Sequence, residues 1–181
     1  MRRGAPPLAC AALVLALASC SSVVGSDSPD AVRDEAGTVV TAGVVDAFSV
    51  RRGDCLLAPD GSRLADVELV LCADVHDLEV FHSFAQPGDD YTSRNTLLAQ
   101  AKAACDIEFP AAIGVPYGAS ALEYRSIVPS EASWRHGDRT ILCAVFDPTT
   151  GPAAGTLFGA ARCAREHCAA ASVRQSLPRT R

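Results

Sequence analysis

Gly53-Asp54-Cys55-Leu56-Leu57-Ala58-Pro59-Asp60-Gly61-Ser62-Arg63-Leu64-Ala65-Asp66-Val67-Glu68-Leu69-Val70-Leu71-Cys72-Ala73-Asp74-Val75-His76-Asp77-Leu78-Glu79-Val80-Phe81 carries the reading that decides the fold. Two cysteines bracket a polar turn, Ala58-Pro59-Asp60-Gly61-Ser62, whose residue types favour chain reversal. An apolar run follows, with Val67, Leu69 and Leu71 on one face of a strand and Glu68, Val70 and Cys72 on the other. Residues 73–77 connect to a third strand over 79–85, with Val80, His82 and Phe84 on one face and Glu79, Phe81 and Ser83 on the other. Two cysteines, a histidine and several carboxylates packed into one stretch admit two readings: a catalytic or metal site, or the covalent frame of a small exported domain. The N-terminus favours the frame.

Upstream, Phe48 and Val50 alternate with Ala47, Ser49 and Arg51, the pattern of a half-buried strand that ends at Gly53. Downstream, Ser93 is placed to cap a helix in which Leu97, Leu98, Ala101, Ala104, Cys105 and Phe109 recur at helical spacing. Pro110 is expected to close that helix, and Cys105 then faces a sheet. Residues 121–128 read as a fourth strand, with Leu122, Tyr124, Ser126 and Val128 on one side. Ser130 caps a short helix with Glu131 in its first turn, and Gly137 stands where a left-handed residue ends it. Thr140-Ile141-Leu142-Cys143-Ala144-Val145-Phe146 is the strongest strand signal, and Gly155-Thr156-Leu157-Phe158 is expected to return beside it as a hairpin. Hairpins around one long helix make an α+β fold, a small and mainly antiparallel sheet with short helices besides.

Met1-Arg2-Arg3 followed by the apolar residues 8–18 is a secretory leader, too short for a bilayer span of roughly 20 residues. It ends in Leu17-Ala18-Ser19-Cys20, similar to the lipobox of bacterial lipoproteins, which implies cleavage before Cys20 and acylation of that cysteine. Two or three acyl chains, at about 0.8 kcal/mol per buried methylene, anchor a protein stably. The chain therefore divides into a leader over 1–19, a tether over 20–44, a domain over 45–160 and an alanine-rich helical tail over 161–181. An exported domain sits where disulfides persist. Of eight cysteines, Cys10 falls in the leader and Cys20 under lipid. Cys55, Cys72, Cys105, Cys143, Cys163 and Cys168 remain, and six cysteines allow 15 pairings. With 16 basic against 21 acidic residues, a nucleic-acid partner is excluded, since phosphate binding needs a clustered positive face. Only 6% of residues are aromatic, so the core is small and gains from covalent bracing.

Taken in order, Gly53-Asp54-Cys55, Cys72 with His76-Asp77, Glu79-Val80-Phe81, the helix bearing Cys105, Pro129-Ser130 leading to Trp134, Gly137-Asp138-Arg139, Cys143 and Gly155-Thr156-Leu157 resemble the septum-formation-related domain of actinobacterial membrane and lipid-anchored proteins. The resemblance covers roughly Val45 to Ala160. It implies a link to cell division and a pairing of Cys55 with Cys72 and of Cys105 with Cys143, and it implies no reaction. The pairings are physically sensible: the first joins strands flanking a hairpin, the second a helix to a central strand. Cys163 and Cys168 lie outside the pattern. A third bond between them requires the tail helix to end or distort.

Other constellations are weaker. Cys72 and His76 have a spacing compatible with zinc, but a closed site needs about four ligands, and His82, His136 and His167 are scattered. His76 beside Asp77 reads as a loop histidine bonded to backbone, and Ser130, His136 and Asp138 read as cap and turn residues. Trp134, Tyr124 and Phe81 read as core. The expectation is a lipid-anchored binding or assembly module on the extracytoplasmic face of the cell membrane. It meets the membrane through Cys20 and an envelope or division protein, with no catalytic residue, metal or cofactor. The rival readings are an exported hydrolase using His76 and nearby carboxylates, or a small-ligand carrier. Chain-entropy estimates give about 3 kcal/mol for a Cys55–Cys72 bond and about 4 kcal/mol for Cys105–Cys143. Cys143→Ala is thus expected to lower the melting temperature of the exported protein more than Cys55→Ala does, as thermal denaturation of both variants will read.

Overall fold

The computed structural model describes residues 29–58 and 66–163. In chain order these form β1 (Val32–Arg33), β2 (Val39–Thr41), β3 (Gly43–Asp46), β4 (Cys55–Leu56), β5 (Asp66–Val70), β6 (Val75–His76) and β7 (Leu78–Ala85). There follow α1 (Arg94–Ile113), β8 (Glu123–Ile127), α2 (Glu131–Arg135), β9 (Thr140–Phe146) and β10 (Ala153–Ala154). Six strands make one antiparallel sheet in the order β3-β5-β4-β7-β9-β8, with two-stranded ladders β1-β2 and β10-β6 beside it. The fold is α+β and disulfide-braced, as the sequence pattern implies.

One face of the sheet carries Phe81, Ile141, Cys143 and Val145 and is covered by α1, which buries Leu97, Ala101, Cys105, Phe109 and Ile113. The Ser93 hydroxyl accepts from Thr96 N, and Gly114 ends α1 at φ 96°. Pro110 lies inside the helix and does not close it. An interior proline costs about 3 kcal/mol, and burial of Ala112 and Ile113 in the last turn offsets that loss. The opposite face carries Leu56, Leu69, Leu78, Val80, Leu142 and Ala144, packed with Val39 and Val50.

Covering that second face overturns the tether reading of residues 29–44. Val39 is buried and Ala31 packs on the same cluster. Ala31 N donates to Val44 O and Val44 N to Pro29 O, so residues 29–31 run along the outer edge of β3. Gly43 allows this approach: a Cβ there would stand 2.3 Å from Pro29 O. Arg33 donates to both carboxylate oxygens of buried Asp54 at 2.6 and 2.7 Å, a paired and planar geometry that pins this segment to the turn before β4.

Four further expectations change. Ala47–Ser49 is a 3-10 turn started by Asp46, whose carboxylate accepts from Phe48 N, so the strand over 47–51 is absent. In β7 the register slips between Val80 and His82, a bulge that puts an extra residue in the strand. Val80 therefore faces the open side, while Phe81, His82 and Phe84 lie toward α1, where His82 stands 3.8 Å from Glu108. Residues 155–158 make no hairpin with β9. It is β10 that pairs, and with β6. Finally, Ala121 N donates to Arg162 O and Ser120 bridges Cys163, so the domain continues past residue 160 without entering a helix there. The leader, Cys20, Cys168 and the rest of the tail lie outside the described residues.

Arg33→Met keeps the aliphatic stem but strands the Asp54 carboxylate, 3% exposed, without its cation. Removing one partner of a buried pair typically costs about 3 kcal/mol. A lower urea midpoint at unchanged m-value is expected, and an unmoved midpoint would show that the N-terminal segment is not part of the folded unit.

Candidate functional site

Both disulfides named by the family resemblance are present. Cys55 bonds Cys72 with Cα atoms 5.2 Å apart, and Cys105 bonds Cys143 at 5.6 Å. The first closes the β4-β5 ladder, where Cys55 stands opposite Val70. The second ties the middle of α1 to the central strand β9. The Cys163–Cys168 pairing lies partly outside the described residues.

A cavity of about 390 Å³ opens on the sheet face that α1 leaves free. One wall is Asp46, Ala47, Phe48 and Asp66, from β3, the 3-10 turn and the start of β5. The other is Ile127, Val128, Thr140 and Leu142, from β8 and β9. These walls come from opposite edges of the six-stranded sheet. In a flat sheet five spacings of about 4.8 Å would hold such edges about 24 Å apart, far wider than this cavity. The sheet therefore curls until its edges flank one cleft. The cleft is the seam of an incomplete barrel. Its floor is apolar, and among the lining residues the charged ones are Asp46, Asp66 and Asp138, with His136.

Ser130, His136 and Asp138 do meet at this cleft, but each polar group is already engaged or turned to solvent. The Ser130 hydroxyl accepts from Ser133 N at 3.0 Å in a reciprocal capping box. Asp138 Oδ1 accepts from Thr140 N at 2.9 Å, and His136 is exposed. Trp134 is core: its Nε1 donates to Asp89 O at 2.7 Å and Arg139 stacks over its ring at 4.0 Å. Phe81 and Tyr124 pack with Phe109 and Tyr117 between α1 and the sheet. Burial, with Asp106 accepting from its hydroxyl, pushes Tyr124 above the usual phenol range. The hydrogen bond to Glu123, then burial, raises Tyr117 to about 12, so both remain neutral phenols.

His76 is buried in β6, and its Nδ1 donates to Asp74 O at 3.0 Å, the backbone bond expected of it. Asp77 accepts from Ala58 N at 2.8 Å. Sequence reading did not foresee Glu79, 2% exposed, whose carboxylate accepts from Thr156 Oγ1 at 2.6 Å and Leu157 N at 2.5 Å. Cys55 Sγ, a ring nitrogen of His76 and a Glu79 oxygen all lie within 4.8 Å of one another. A charged residue inside an apolar strand was the available signal, since a buried carboxylate needs partners.

A family model described as septum formation matches residues 52–176, more than half of the chain. No curated protein and no solved structure matches. Ser130→Ala is expected to cost about 1 kcal/mol through the lost helix cap, read as a urea midpoint shift. Turnover of a p-nitrophenyl ester that falls with the same variant would instead give Ser130 a catalytic role.

Proposed function

We propose, from the premise that this chain belongs to the septum-formation family, that it is an extracytoplasmic binding module anchored by lipid on Cys20. Its seam cleft takes an extended, basic segment of an envelope protein at sites of division. The cleft carries this reading. Its apolar floor suits aliphatic side chains, and Asp46 and Asp66 are exposed carboxylates on its wall, complementary to lysine or arginine. β8, one of the two edge strands of the sheet, borders the cleft through Ile127, and an unpaired edge is a template for an added strand. The leader and the Leu17-Ala18-Ser19-Cys20 lipobox support the anchor.

Crosslinking in intact cells followed by capture of the chain tests this. A partner recovered with the parent is expected to be lost with Ile127→Glu, and weakened in a salt-dependent way with Asp46→Asn and Asp66→Asn combined. Cys20→Ala is expected to release the protein from the membrane fraction. Equal capture by the parent and the cleft variants, all folded, would rule the cleft out.

A further inference from the structure

We propose that Cys55, His76 and Glu79 form a divalent-metal site of the zinc type that opens when the Cys55–Cys72 disulfide is reduced. It goes beyond the binding reading and does not depend on it. The three donors already converge to within 4.8 Å of one another. Their supports are those that metal ligands need. His76 Nδ1 is engaged with Asp74 O, which leaves the lone pair on Nε2 for a metal. Glu79 is oriented by the Thr156 hydroxyl and Leu157 N through one lone pair on each oxygen, leaving others free. Thiolate, imidazole and carboxylate are a zinc donor set, and three protein ligands leave a fourth position for water. One thiolate, one carboxylate and one divalent cation also sum to zero charge. That matters because His76 and Glu79 are 3% and 2% exposed, where uncompensated charge is costly.

The switch follows from accessibility. Cys55, Cys105 and Cys143 are 0% exposed, whereas Cys72 is partly exposed. A dithiol reductant therefore attacks Cys72 Sγ. The bond to Cys55 breaks and Cys55 leaves with the electron pair as a thiolate. The second thiol of the reductant displaces Cys72 from the mixed disulfide. The reductant ends as a cyclic disulfide, two electrons have entered the protein, and its two protons are divided between the Cys72 thiol and solvent. The buried Cys55 thiolate then stands beside His76 and Glu79. The buried Cys105–Cys143 bond meanwhile keeps α1 on the sheet.

The test titrates cobalt(II) into the metal-free full chain, before and after reduction by a phosphine. Alkylation and mass spectrometry confirm which disulfide has opened. One cobalt per reduced chain is expected, with sulfur-to-cobalt charge-transfer absorption in the near ultraviolet that is absent from the oxidised protein. Glu79→Gln and His76→Gln are expected to weaken binding about 100-fold, and Thr156→Val, which only orients Glu79, about tenfold. If reduction unfolds the chain, added zinc is expected to restore its circular dichroism, since site formation and folding are coupled. Absence of the charge-transfer band, equal affinity in the His76 and Glu79 variants, or failure of zinc to refold an unfolded reduced chain would overturn the proposal.

Discussion

The sheet is apolar on both faces, and one helix of 20 residues covers only one of them. Most of the architecture answers that constraint. On the α1 side, the Cys105–Cys143 bond and the aromatic cluster around Phe109 seal the interface. On the other side only the five-residue α2 and the 3-10 turn at 47–49 reach the cleft, so the sheet curls over its own Leu and Val side chains. The segments 29–41 and 47–50 on either side of β3 then pack on what the curl leaves open. The bulge in β7 belongs to the same solution, since an added residue bends a strand and increases its twist. It also lets Phe81, His82 and Phe84 all contribute to the helix side.

Closure of this kind leaves a seam. The two edges of the sheet approach each other without pairing, and the cleft between them is the space that neither curl nor N-terminal segment fills. The cleft is thus a consequence of how the core is buried. Membership of the septum-formation family gives the domain a biological setting. The seam itself has an apolar floor and an acidic wall. The helix side holds the other chemistry-bearing group of residues, where Glu79 is buried beside a disulfide and held by the Thr156 hydroxyl and Leu157 N, and nearby His76 is held by Asp74 O.

Much of this was legible in local pattern. The period of two in β5, β8 and β9, the helical spacing from Leu97 to Phe109 and the caps at Ser93 and Ser130 are properties of short segments, and they appear where the residues place them. Pro110 was misleading because its local penalty is outweighed by burial of Ala112 and Ile113 one turn later. Gly43 shows the opposite case. A glycine suggests a loose chain, but here it allows a close approach of two backbones. The bulge at Phe81 has no local signature, since it arises from register against β9. The cleft was not legible at all, because Asp46 and Ile127 are far apart in sequence and meet only once the sheet has curled.

Sequence alone determined the central strands, the long helix and its cap, and a cysteine set whose pairing the family resemblance already implied. Those are matters of local propensity, composition and motif order. Tertiary structure alone decided that residues 29–44 are part of the domain, that Glu79 lies buried near His76 and Cys55, and that the two sheet edges frame one cleft. Each of these depends on contacts between distant segments, and their free energy comes from burying a second apolar face that no single stretch of the chain reveals.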